Sequence, residues 1–160
     1  MLKKQASQNF NILFPEKLKI AIVRTNYYVD LIDNLEIYAR KTLFTAGISE
    51  TNIETFTAPG SWEVPLLVQA VAESKKFDAI IAFGIIIKGE TYHFDMIANE
   101  VAQALMQISL DYSIPVGFEV LAVFDKKHAE IRAEKNEHNK GIEAANAVLQ
   151  TIQSLKKISK

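Results

Sequence analysis

Four short strand-like stretches punctuate the chain, and between them apolar side chains recur every three or four positions. The stretches are Leu18–Val23, Thr51–Thr57, Asp78–Ile87 and Ile114–Val123. The third, Ala-Ile-Ile-Ala-Phe-Gly-Ile-Ile-Ile after Asp78, has the unbroken hydrophobicity of a strand covered on both faces in a parallel sheet. Thr51–Thr57 alternates at period two and predicts a less buried strand. Pro115 falls at the start of the fourth run, where a strand tolerates the missing N–H. From Val29 to Ala46, Leu31, Ile32, Leu35, Ala39, Leu43 and Ala46 keep a helical period, and Gly47 is a natural stop. A second helix carries Pro65 in its first turn and runs to Ser74. A third, Thr91 to Asp111, places Ile97, Val101, Ala104, Leu105 and Ile108 on one stripe. From Asp125 to Ile158 the pattern is again helical, broken by the polar stretch Asn136–Gly141, with Ile142, Ala145, Val148, Leu149 and Ile152 as its buried stripe. Strands separated by helices pair in parallel through right-handed crossovers. The expectation is an α/β three-layer sandwich, a four-stranded parallel sheet with helices on both faces, formed by one domain over residues 18–160. Residues 1–17 read as an arm, extended around Asn11–Pro15, that either frays or packs on a neighbouring subunit.

Composition narrows the function classes. The chain has 160 residues, the size of one domain, and is 49% hydrophobic, enough for a real core. A net charge of -1 argues against nucleic-acid binding driven by bulk charge. Without cysteine there is no disulfide frame, thiolate nucleophile or cysteine metal site. Met1 to Asn9 lack the apolar core of a signal peptide, and no apolar stretch approaches the roughly 18 residues of a membrane span. These features predict a cytoplasmic protein without membrane or nucleic-acid partners.

In such a sheet the turns after the strands gather at one rim, where open α/β sheets place their chemistry. Those turns are Arg24–Tyr28, Ala58–Glu63, Ile85–Thr91 and Phe118 onward. They bring an aromatic, Tyr27; a polar and aromatic group, Ser61, Trp62 and Glu63; and an apolar strand end, Ile85, Ile86 and Ile87. Phe118 is expected as a buried aromatic. Gly89 allows close backbone approach and Thr91 can cap the third helix, so the Lys88-Gly89-Glu90 turn suits an anion, phosphate above all. His93 lies one turn upstream on the buried stripe of that helix and points toward the sheet end. Each residue alone has an ordinary reading: packing for Tyr27 and Trp62, a solvated helix position or a satisfied core histidine for His93, surface charge for Lys88 and Arg132. Their convergence on one rim favours a site. Other chemistries lack their signatures. There is no G-x-G-x-x-G or P-loop spacing, and no nucleophile elbow around Ser61. The first strand does not end in paired aspartates, as a magnesium-dependent phospho-acceptor domain would require. His93, His128 and His138 lack the spacing of a zinc site.

Three segments carry a resemblance. Ala58-Pro-Gly-Ser-Trp-Glu-Val-Pro65, Gly84-Ile-Ile-Ile-Lys-Gly-Glu-Thr-Tyr-His-Phe-Asp95 and Asn139-Lys-Gly-Ile-Glu-Ala-Ala145 resemble lumazine synthase, from about Leu18 to Ile152. The second segment is the specific one. The resemblance implies a flavodoxin-like sheet and the penultimate step of riboflavin synthesis, without metal or organic cofactor. In that step 5-amino-6-(D-ribitylamino)uracil condenses with 3,4-dihydroxy-2-butanone 4-phosphate, losing phosphate and water. It also implies pentamers whose active sites lie between neighbouring subunits. Position by position, Tyr27 corresponds to the aromatic stacked on the uracil. Ser61, Trp62 and Glu63 correspond to the segment holding the ribityl and pyrimidine parts, and Ile85, Ile86 and Ile87 to the strand end meeting the pyrimidine through backbone. Lys88, Glu90 and Thr91 fall on the phosphate turn, His93 on the proton-transfer histidine and Phe118 on an aromatic from the adjacent subunit. Arg132 matches the phosphate-binding arginine and Lys140 a lysine near it. The roles suit the chemistry: an imidazole shuttles protons near neutrality, and a guanidinium beside helix N–H groups can hold a leaving phosphate. Three departures stand out. Arg24-Thr25-Asn26 precedes a tyrosine where Phe or Trp is usual, and Lys88 stands where Arg is common. Glu134–His138 lacks the glycine-bearing linker of shell-forming members, which points to pentamers or two stacked pentamers. The rival on the same scaffold is a flavin- or lumazine-binding protein with weak catalysis.

Overall fold

The computed structural model describes Ile12 and residues 15–159, so most of the expected arm lies outside the described residues. Strands β1 (Ile20–Thr25), β2 (Ile53–Ala58), β3 (Ala79–Ile87) and β4 (Val116–Val123) alternate with helices α1 (Val29–Thr45), α2 (Val64–Ser74), α3 (His93–Asp111), α4 (Lys126–Arg132) and α5 (Lys140–Ile158). All strand pairs are parallel, in the order β2-β1-β3-β4. This is the expected α/β three-layer architecture.

Burial explains the order. Every residue of β3 except Ile87 is buried, as a strand with neighbours on both edges and helices on both faces requires. β2, whose period-two pattern predicts a half-covered strand, lies at an edge and is buried only at Ile53 and Ala58. One face of the sheet packs Ile20, Ile22, Ile81 and Phe83 against Leu35 and Leu43 of α1 and Leu149 of α5. The other packs Ala21, Val23, Ile80 and Ala82 against Val68 of α2 and Val101 and Leu105 of α3. Each fully buried aliphatic side chain contributes about 1.5–3 kcal/mol.

Two local features hold α5 in place. The buried Asn139 caps it, its Oδ1 accepting from the Gly141 N–H at 2.8 Å while its Nδ2 donates to the Glu134 carbonyl at 2.8 Å. Gly141 then passes so close to α1 that a Cβ would lie 1.9 Å from the Leu35 carbonyl oxygen. Ile142, expected in the buried stripe, is only half-buried, because this crossing turns Gly141 and Ala144 inward beside the expected Ala145.

The remaining differences are at element ends. β1 continues through Arg24 and Thr25, which the sequence pattern places in a loop. α1 supplies anions for that extension: Arg24 donates to Asp33 at 2.6 Å and to Glu36 at 2.9 Å. Glu36 also accepts from Arg40 at 2.9 Å and from Thr55 at 2.6 Å, and Arg40 reaches Glu50 as well. Burial pushes the Glu36 carboxyl up, but the bonds from Thr55, Arg40 and Arg24 outweigh it and hold the group below its ordinary range. Thr51 and Asn52 form a 3-10 turn ahead of β2 rather than its first residues. Gly47, the predicted stop, takes φ of 95°, which favours glycine.

Candidate active site

Parallel pairing brings the ends of β1, β2 and β3 to one rim, and three turns there enclose a cavity of about 760 Å³, within the range of small-molecule sites. After β1, the Asn26 N–H donates to the Ala58 carbonyl at 3.1 Å, and Tyr28 takes a left-handed φ of 52° as α1 begins. This turn presents Tyr27, 64% exposed, to the cavity. After β2, Pro59-Gly60 leads into a 3-10 turn, Ser61–Glu63, and then α2, with Pro65 in its first turn. That turn lies on β3: a Cβ at Gly84 would meet the Ser61 Oγ at 2.9 Å. Ser61, Glu63 and Trp62, 59% exposed, line the cavity. Ile85, Ile86 and Ile87 form its floor.

His93 closes the fourth side as the first residue of α3, exposed and facing the cavity beside Met96 and Ile97. The helix begins later than its apolar period suggests. Thr91 is not its cap; the N-cap position is Tyr92, which makes no side-chain bond, and the Thr91 Oγ1 accepts from the His93 N–H at a long 3.4 Å. Among the described residues, the first turn of this 19-residue helix therefore has no bond to its N-cap side chain, only the long one to Thr91. Lys88, Glu90 and Thr91 are exposed in the connecting turn and do not line the cavity.

The other candidates lie elsewhere on the chain. Phe118 is within β4 and 48% exposed, not buried and not in a post-strand turn. β4 is an edge strand, so its outer end lacks a covering neighbour. Arg132 ends α4, its guanidinium donating to the His128 carbonyl at 2.9 Å. Lys140 opens α5 and pairs with Glu143. None of these three lines the cavity of its own chain. Among them lies a group that the motifs do not flag, Glu119. Burial pushes its carboxyl up to about 8; Lys140 opposes the rise, Glu143 adds to it and Arg132 opposes it. An acid inside an otherwise apolar strand was the signal for it. Tyr28, Pro59, Gly60, Met96 and Ile97 also line the cavity: the first three lie in rim turns that the sequence predicts without singling them out, and the helical spacing from His93 points to the last two.

The model of the 6,7-dimethyl-8-ribityllumazine synthase family matches residues 17–156. The chain belongs to this family. Among curated relatives, the 6,7-dimethyl-8-ribityllumazine synthase of Stenotrophomonas maltophilia is 36% identical over 144 residues, covering 90% of this chain and 93% of that one. That of Ruthia magnifica is 34% identical over 162 residues, covering 98% and 97%. That of Desulfovibrio desulfuricans is 37% identical over 141 residues, covering 88% and 90%. The lumazine synthase match therefore spans the whole sheet, the cavity and the β4–α5 region. Among the described residues, no helix is long and apolar enough to cross a membrane.

Proposed function

We propose that the chain condenses 5-amino-6-(D-ribitylamino)uracil with 3,4-dihydroxy-2-butanone 4-phosphate to 6,7-dimethyl-8-ribityllumazine, the penultimate step of riboflavin biosynthesis. The observation that carries this reading is the convergence of Tyr27, Trp62, Ile85–Ile87 and His93 on one cavity in a chain of the lumazine synthase family. Tyr27 and Trp62 offer ring faces to a flat pyrimidine, and the strand end at Ile85–Ile87 offers backbone groups to its edge. Ser61 and Glu63 supply polar contacts for the ribityl chain. The amine of one substrate adds to the carbonyl of the other, water leaves to form an imine, phosphate is eliminated, and attack of the ribitylamino nitrogen on the remaining carbonyl closes the ring with loss of a second water. His93 moves protons in these steps, a role suited to an imidazole. Holding the two substrates together supplies much of the rate.

In this proposal the phosphate seat is made by the exposed Glu90–Thr91 turn and the start of α3. Arg132 and Lys140 complete it from a neighbouring subunit, which also supplies Phe118 against the pyrimidine. The support is that the cavity is open, with two exposed aromatics, while the remaining candidates stand on a different part of the protomer. A homopentamer, or two stacked pentamers, joins these halves, and neither a metal nor an organic cofactor takes part. The test is absorbance-monitored product formation from the two substrates, with light scattering for the assembly. A protein that binds riboflavin but forms no product overturns the catalytic reading, and an active monomer overturns the shared site.

A further inference from the structure

Lys88 reads from sequence as a cation for phosphate, yet its ammonium is engaged within the protomer. Its Nζ lies 5.7 Å from the centre of the Phe94 ring and 5.4 Å from that of Phe124. The two rings are 6.2 Å apart and tilted by 36°, so the cation bridges an aromatic pair. Each ring belongs to a different element. Phe94 follows His93 in the first turn of α3 and packs against the core on that side of the sheet. Phe124 follows β4 directly and is 71% exposed, and the next residue, Asp125, caps α4 by accepting from the Lys127 N–H at 2.6 Å. The Lys88 N–H donates to the Val123 carbonyl at 2.9 Å, tying the backbone at the same point.

We propose that Lys88, resting against both Phe94 and Phe124, is a positioning residue that fixes the start of α3, and with it His93, against the loop leading into α4. The inference rests on the proton-transfer role of His93 given above. The physical need is plain. Residues 88–92 join β3 to α3 through Gly89, around which there is open space, and the start of α3 is held by no N-cap side-chain bond, only by the long 3.4 Å bond from the His93 N–H to Thr91. A turn so built has few ties to hold an exposed imidazole in one place. A cation shared by two adjoining rings supplies one, and because it also meets the loop before α4, it links the His93 turn to the element that carries Arg132.

The test compares Lys88→Met, Lys88→Arg, Phe124→Leu and the double variant Lys88→Met/Phe124→Leu, with His93→Ala as reference. All changed side chains of the clamp are exposed, so folding is retained. Lys88→Met and Phe124→Leu should each lower kcat by about five- to tenfold, leaving KM for the phosphorylated ketone within about twofold. Lys88→Arg should keep the wild-type rate, and the double variant should fall no further than either single one. Amide exchange at residues 91–96 should quicken in Lys88→Met and not in Lys88→Arg. A rise in KM for the phosphorylated ketone at unchanged kcat in Lys88→Met would mean that Lys88 grips phosphate, and would overturn the proposal. So would unchanged kinetics, or additive losses in the double variant. If His93→Ala itself turns over at the wild-type rate, the proton-transfer role fails instead, and the exchange measurement still decides whether the clamp exists.

Discussion

Replacing Glu119 with Gln should make the protein more stable at neutral pH, and the gain should vanish in acid. Glu119 stands in β4 opposite Phe83 of β3, half-buried, and the charged groups acting on it are Lys140, Glu143 and Arg132. Burial penalises its ionised form, so the folded protein releases this proton at about 8, against an ordinary 4.5. The sign follows from proton counting. Between these values the folded protein holds a proton that the unfolded chain has lost, so stability falls as pH rises. Below about 4.5 both states are protonated and Glu119 contributes no pH dependence; above about 8 both are ionised and the loss levels off. At about 1.36 kcal/mol per pH unit, the accumulated loss at pH 7 is on the order of 3 kcal/mol. Glutamine keeps the shape of the neutral carboxyl and never ionises. Urea denaturation of both proteins at fixed protein concentration, from pH 4 to 9, reads the difference. The curves should coincide near pH 4 and diverge steadily to pH 8 with Glu119→Gln the more stable. A constant difference across that range, or a less stable variant at pH 7, would refute the reasoning.

Other substitutions test other links. His93→Ala should slow turnover by about a hundredfold or more, the usual worth of a proton-transfer group, while sizing shows an unchanged assembly. Arg132→Ala should chiefly raise KM for the phosphorylated ketone in steady-state assays, and unchanged kinetics in both variants would remove these assignments. Gly141→Ala places a methyl 1.9 Å from the Leu35 carbonyl oxygen and 2.8 Å from its carbon, so α5 must move off α1. The expected loss, about 3 kcal/mol or more by chemical denaturation, is that of a severe overpacking. Thr25→Val removes a buried hydroxyl that has no hydrogen-bond partner among the described residues. It should raise stability by about 1 kcal/mol, and a measured loss would show that the hydroxyl is satisfied in solution.

Hydrophobic spacing by itself determined the number and order of the strands, the helical stretches between them, their parallel pairing, and which strand lies half-covered, because period and run length report burial directly; whether the last stretch breaks, as it does into α4 and α5, or only kinks is left open by spacing alone. It also determined which turns meet at one rim, since parallel connectivity puts every post-strand turn at the same end of the sheet. Tyr27, Ser61, Trp62, Glu63, Ile85–Ile87 and His93 could therefore be placed together before any coordinates. What only the tertiary structure decided depends on contacts between residues far apart in the chain. α1 meets the end of β1 through Asp33 and Glu36, which turns Arg24 from a loop residue into a strand residue. The edge position of β4 leaves Phe118 exposed, although its apolar character suggested burial. Lys88 lies over two rings because β3 and β4 end side by side, a neighbourhood that no local pattern records. Local periodicity encodes which face of an element is apolar; which charge, ring or backbone oxygen that element finally meets is set by how the elements pack.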